Sequence, residues 1–173
     1  GKTFKYYEKL NRKGLNFATA RQDAYYVFNE GWSVVKLGDK YVLKADAKDY
    51  SINLLLSSAK PPVVHGKDGV SQKASCVGCA SHYYSMSRLK AEGLVFIKDK
   101  PVEVTGQAWM DHEFGSNQLT KEQTGWDWYS IQLAGNRELM LYVMRREDGT
   151  LEKQSSGTLV LPDGTSKHLG LND

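Results

Sequence analysis

Gly106–Arg145 reads GQAWMDHEFGSNQLTKEQTGWDWYSIQLAGNRELMLYVMR, and its alternation decides the fold class. Successive residues of a strand point to opposite faces. Gly106 and Ala108 continue the face of Val102 and Val104, while Gln107 and Trp109 continue that of Glu103 and Thr105. Trp126 to Leu133 reads as the next strand. Trp126, Trp128, Ser130 and Gln132 share one face, and Asp127, Tyr129, Ile131 and Leu133 the other. Ala134–Arg137 supplies a turn in which Gly135-Asn136 can take positive φ, and Leu139–Arg145 returns as the partner strand.

The same pattern extends outward. Asp23–Val35 is rich in aromatics and valine and breaks at Asn29-Glu30-Gly31. Gly38-Asp39-Lys40 reads as a hairpin turn before Tyr41–Ala45. Ile52, Leu54 and Leu56 mark a strand with one buried face. Pro61-Pro62 stiffens the entry to a polar loop over His65–Gly78. Two short strands follow, His82–Leu89 and Gly93–Ile97, with a turn at Lys98-Asp99-Lys100. Asp148-Gly149 and Pro162-Asp163-Gly164 mark later turns. Helical periodicity is absent except for a short helix expected near Asn16–Ala24. Short strands at this spacing predict an all-β sandwich or barrel.

Composition narrows the function classes. Hydrophobic residues make up 40% and charged residues 25% of 173 residues, enough for a real core. The net charge of +3 is spread along the chain, so no basic stripe marks a nucleic-acid surface. The apolar runs, such as Leu54–Leu56 and Leu139–Met144, are strand-sized, and no membrane span is expected. The chain begins at Gly1 without a Met or a signal peptide, so a fragment or a mature form is expected. Cys76 and Cys79 form C-x-x-C, with His82 three residues on. A local disulfide, structural thiols, redox activity and a metal all stay open. The strand-like Ser81–Ser85 counts against a thioredoxin-type motif, which would start a helix there. No metal-ligand spacing and no cofactor motif occurs.

Three clusters could carry chemistry. Asp111, His112 and Glu113 sit in sequence near a strand end. If the strand continues, Asp111 and Glu113 share a face and His112 points the other way; a bulge would bring all three together. Carboxylates beside an apolar cavity suit general acid–base work, and equally they can merely tie down a loop. In the second cluster, Asp127 lies between Trp126 and Trp128 and precedes Tyr129, so it needs a partner or a cavity. Indole faces can bury apolar ligand or stabilise a developing cation, or simply fill the core. Tyr83, Tyr84, Ser85 and Arg88 form the third, and Arg88 could pair with one of these carboxylates. His65 and His168, in turn-rich segments, read as exposed or structural. No G-x-S-x-G, P-loop or G-x-G-x-x-G is present.

Gly69–Lys73, Ala80–Leu89, Val104–Phe114, Gly125–Leu133, Leu139–Tyr142 and Arg145 together resemble the CrtC/AttH family of lipocalin-like proteins, on its AttH-like side. That family includes carotenoid 1,2-hydratases and bacterial proteins labelled predicted secreted hydrolases. The resemblance covers about residues 15–170. It implies a lipocalin-like antiparallel β-barrel over residues 1–154, incomplete at its N-terminus, and the opening strands of a second barrel over 155–173. The family's Glu-Trp-Trp strands are absent before Gly1, and the rest of a longer chain or another subunit would supply them. Phe114 stands where the family usually has Trp, and the two cysteines lie outside its pattern. An extracytoplasmic location, periplasmic or secreted, follows from the resemblance alone.

Two functions follow as expectations. The first is a barrel binding a hydrophobic, isoprenoid or lipid-like molecule, lined by Trp109, Trp126, Trp128, Tyr129, Tyr84, Arg88 and Tyr142. The second is an acid–base hydratase or hydrolase without metal or cofactor. There Asp111, His112 or Glu113 would protonate a double bond, and Asp127 would orient the attacking water.

Overall fold

Residues 3–117 and 119–173 are described in the structure, a computed structural model. Their regular structure is antiparallel strand throughout, as the alternation predicts. They form two compact units.

One unit takes its strands from residues up to Ser58 and from Lys90–Ala108. β1 (Ala18–Ala20), β2 (Tyr26–Asn29), β3 (Trp32–Leu37), β4 (Lys40–Asp46) and β5 (Tyr50–Ser58) pair in chain order. The helix expected near Asn16–Ala24 is replaced by β1, with Ala18 opposite Asn29 and Ala20 opposite Val27. Leu15 and Asn16 take φ of 49° and 62°, left-handed values that stop a right-handed helix from starting there. Glu30-Gly31 joins β2 to β3, and Gly38-Asp39 joins β3 to β4. Tyr41 faces Leu56 across β4 and β5, both buried, and Tyr25 meets Tyr41 edge-on with ring centroids 5.4 Å apart.

Two 18-residue strands, β8 (Ala80–Ile97) and β9 (Lys100–Asn117), contribute to both units. The break expected between Leu89 and Gly93 is absent. Gly93 lies inside β8 at φ 149°, and a Cβ there would sit 2.2 Å from the carbonyl oxygen of Asn53 on β5. Glycine serves close backbone approach at this point, where the sequence reads as punctuation. Lys98 and Asp99, both at positive φ, make the turn into β9.

The other unit comprises Ala59–Leu89 and Trp109–Asp173. β6 (Val63–Val64) and β7 (Val70–Gln72) pair with β8, so the expected His65–Gly78 loop contains a short strand. β10 (Gln123–Leu133), β11 (Arg137–Arg146), β12 (Ser156–Val160) and β13 (Ser166–Leu169) form a four-stranded sheet. Trp128 faces Tyr142, and Met140 faces Thr158. Tyr83, Met140, Tyr142 and Met144 are its buried cluster, with Trp109 packed against them. Glu138 on β11 is fully buried. Its carboxylate takes Lys60 Nζ at 2.8 Å on one oxygen and the Arg88 guanidinium on the other.

Candidate ligand pocket

Alternation along β8, β10 and β11 turns aromatic side chains toward a cavity of about 130 Å³ inside the second unit. Tyr83, Trp126, Trp128, Tyr142, Met144 and Leu119 line it together with Lys73 and Glu113. Trp126 and Trp128 are 54% and 39% exposed, so the aromatic wall is open to solvent on their side. Trp128 meets Trp109 edge-to-face, centroids 6.4 Å apart, and its Nε1–H donates to the Tyr83 hydroxyl at 3.0 Å.

One carboxylate organises the polar side. Asp111 Oδ1 accepts from Tyr83 Oη at 2.9 Å, from Trp109 Nε1 at 2.9 Å and from Ser85 Oγ. Ser85 in turn meets His65 Nε2 at 2.7 Å, and His65 Nδ1 meets Thr158 Oγ1 at 2.8 Å. Because Ser85 gives its proton to Asp111, its oxygen accepts from His65. This assigns the proton to Nε2 and leaves Nδ1 to accept from Thr158. The assignment needs a neutral imidazole. Burial pulls the His65 pKa down to about 4, against the opposing pull of the Asp111 charge. Burial and then Asp111 push the Tyr83 phenol up, so it stays a donor. Ser85 and His65 lie within the reach of a nucleophile–base pair, but Ser85 is fully buried and its proton already points at Asp111. The arrangement is a hydrogen-bond chain and presents no accessible nucleophile.

The pair on the pocket wall is Lys73 and Glu113. Lys73 Nζ lies 2.8 Å from Glu113 Oε1, which also accepts from Ser81 Oγ at 2.5 Å. The same ammonium stands 3.9 Å from the Tyr142 ring centroid and 5.2 Å from that of Tyr83.

Strand alternation separates the remaining sequence candidates. β9 runs unbroken through these positions, and Asp111 and Glu113 share the face of Trp109, bonded to it, to Tyr83 and to Ser81. His112 turns away to stack on Tyr84, centroids 5.1 Å apart, and to meet Phe114 edge-on. Tyr84 therefore belongs to that outer group and lies outside the lining. Asp127, opposite in sense to Trp126 and Trp128, pairs with Arg145 while about half exposed. Its partner is a surface arginine and no cavity is involved. Tyr129 shares its face and is 48% exposed. Arg88 binds Glu138 and the carbonyls of Leu133 and Arg137, so its carboxylate partner is one absent from the sequence clusters. Tyr142 lines the cavity, its hydroxyl accepting from Ser156 Oγ at 2.8 Å and donating to Gln72 O at 3.2 Å.

Lys73 and Glu138 were not among the sequence candidates, and of the two readings given for His65, exposed or structural, its burial and its bonds to Ser85 and Thr158 fit the second. Ser71 and Lys73 alternate toward the interior from the end of β7, yet polar residues at that period look like a solvated loop. Cys76 and Cys79 form a disulfide, the first of the alternatives left open for them. Among the described residues no group of three His, Cys, Asp or Glu could hold a metal ion, and no helix is long and apolar enough to cross a membrane.

A profile of the AttH-like family matches residues 1–173. A crystal structure of a protein assigned as AttH from Nitrosomonas europaea is 28% identical, with a TM-score of 0.87 over 95% of this chain and 51% of that one. Kievitone hydratase from Nectria haematococca is 11% identical, with a TM-score of 0.68 over 85% of this chain and 46% of that one, a likeness of fold. The chain thus spans about half the length of the solved structures it matches. No curated protein matches it by sequence. The expected lipocalin-like fold and the AttH-like resemblance both hold.

Proposed function

We propose that this chain, which belongs to the AttH-like family, binds a hydrophobic small molecule in the aromatic cavity of its second unit. The observation that carries this reading is the lining. Two indoles, two phenol rings, a leucine and a methionine surround the cavity, and a single charged pair sits on its wall. Such a mix of apolar surface and few polar groups is the usual make-up of a small-molecule site. Its volume suits one ring or one branched alkenyl unit of a ligand, with the remainder leaving past Trp126 and Trp128.

The test is native mass spectrometry of protein purified from its own host, beside a Trp126→Ala/Trp128→Ala variant. A co-purifying hydrophobic mass on the wild type, lost from the variant, supports the proposal. Apo wild-type protein that also fails to take up any of a panel of polyenes, phenols and lipid esters refutes it.

One observation favours a second reading, an acid–base hydratase. Glu113 is a carboxylate on the wall of a cavity whose aromatic faces could stabilise a cation. Glu113, taking a proton from the Lys73 ammonium 2.8 Å away, would pass it to one carbon of a double bond. Water would add to the carbocation at the other carbon, and the proton released would return to the carboxylate. The fold shared with kievitone hydratase is compatible with this chemistry. Glu113→Gln would then lose turnover even at saturating ligand; wild-type protein that binds but never turns over polyenes or enones leaves binding alone.

A further inference from the structure

The charged pair on the pocket wall is built into place. The Lys73 side chain is only 6% exposed. Its backbone N–H donates to Cys79 O at 2.8 Å and its carbonyl accepts from Gln123 Nε2 at 2.8 Å, so the chain is held on both sides of the residue. An ammonium carries three N–H donors. Among the described residues Nζ makes one ion pair, to Glu113, and stands over the Tyr142 ring. On the other partner, Oε1 takes both Lys73 and Ser81, while Oε2 accepts from none of the described side chains. The wall therefore offers an unused donor next to an unused acceptor, inside a cavity that is otherwise aromatic and aliphatic.

We propose that Lys73 and Glu113 form a polar anchor for the ligand, whose entering end is an uncharged oxygen group, a hydroxyl or carbonyl on a ring or alkenyl carbon. This rests on the pocket reading above and names the class of molecule it takes. A hydrocarbon would strip water from both charged groups and return no hydrogen bond, a cost that a hydroxyl avoids by accepting from Lys73 and donating to Glu113. An anionic end is disfavoured, because the carboxylates of Glu113 and Asp111 outnumber the one ammonium.

Para-cresol and para-xylene have the same shape and differ by hydroxyl against methyl, and each is close to the size of the cavity. Their dissociation constants are measured by titration of the indole N–H signals of Trp126 and Trp128. The wild type should prefer para-cresol by about tenfold or more, the scale of one hydrogen bond to a charged group. The double variant Lys73→Met/Glu113→Gln leaves no unpaired charge and should bring the two within about twofold of each other, with para-xylene bound at least as well as before. Lys73→Met alone, which removes the donor and leaves the partly exposed Glu113 to water, should also reduce the preference. Equal binding of the two probes by the wild type overturns the anchor and leaves the pocket standing. A preference that survives in a folded variant does the same. If neither probe moves either signal, the anchor and the pocket fail together.

Discussion

His65 is 2% exposed, and burial holds its pKa near 4 against an ordinary value of 6.5. The sign of the consequence is definite. Above pH 6.5 the imidazole is neutral in both folded and unfolded chains and the difference contributes nothing. As the pH falls from 6.5 toward 4 the unfolded chain takes up a proton that the folded chain refuses, so the folded state loses stability. A depression of about 2.5 units, at about 1.4 kcal/mol each, sets the full loss near 3 kcal/mol. His65→Gln removes the titration. At pH 7.5 the variant should be less stable than wild type by about 1–3 kcal/mol, through the lost contacts to Ser85 and Thr158. Toward pH 4.5 that gap should close, because only the wild type carries the acid penalty. Urea denaturation of both proteins at half-unit pH steps measures the gap, and the His65 ring resonances report titration directly. A gap that stays constant across the range, or a His65 ring that titrates near 6.5, refutes the reasoning.

Three further outcomes follow from local geometry. Glu138→Gln leaves Lys60 and Arg88 buried without their carboxylate, and urea denaturation should show a loss of about 3–5 kcal/mol; a loss under about 1 would mean that the network relaxes freely. In Gly157→Ala the new Cβ would lie 2.5 Å from Met140 O and 2.4 Å from Leu141 Cδ2, so β12 must lift from β11 at a cost of about 2 kcal/mol or more, read as a lowered Tm. Reducing the Cys76–Cys79 disulfide should cost roughly 2 kcal/mol by the loop-entropy estimate. It should also weaken probe binding, because Cys79 O holds the Lys73 backbone; affinity indifferent to reductant would contradict that coupling.

Alternation carried most of what the sequence could tell. For a continuing strand it put Asp111 and Glu113 on one face and His112 on the other, because the period of a strand is a local property of the backbone, but whether a bulge intervened stayed open until the contacts decided it. It also separated Trp126 and Trp128 from Asp127 and Tyr129. It could not say which of the two faces is the inner one, since that depends on packing against strands far along the chain. Asp127 was therefore read as a site residue, and Arg145 holds it at the surface. For the same reason His65 was read as exposed or structural, and Lys73 fell inside an expected polar loop. Their burial comes from Thr158, Ser85, Tyr142 and Glu113, partners at long sequence separation. Gly93 shows the converse error, a glycine taken for a break where it admits the backbone of β5.

The central claim is that the cavity beside Trp126 and Trp128 receives a hydrophobic ligand. The chain has four tryptophans, and Trp32 lies in the other unit with its indole N–H on Asp46 O, so it serves as an internal reference. The most direct measurement is the four indole N–H signals in a ¹H–¹⁵N spectrum during titration with para-cresol. Trp126 and Trp128 should shift saturably, Trp109 less through its contact with Trp128, and Trp32 not at all. Uniform small shifts of all four, or a shift confined to Trp32, would contradict it.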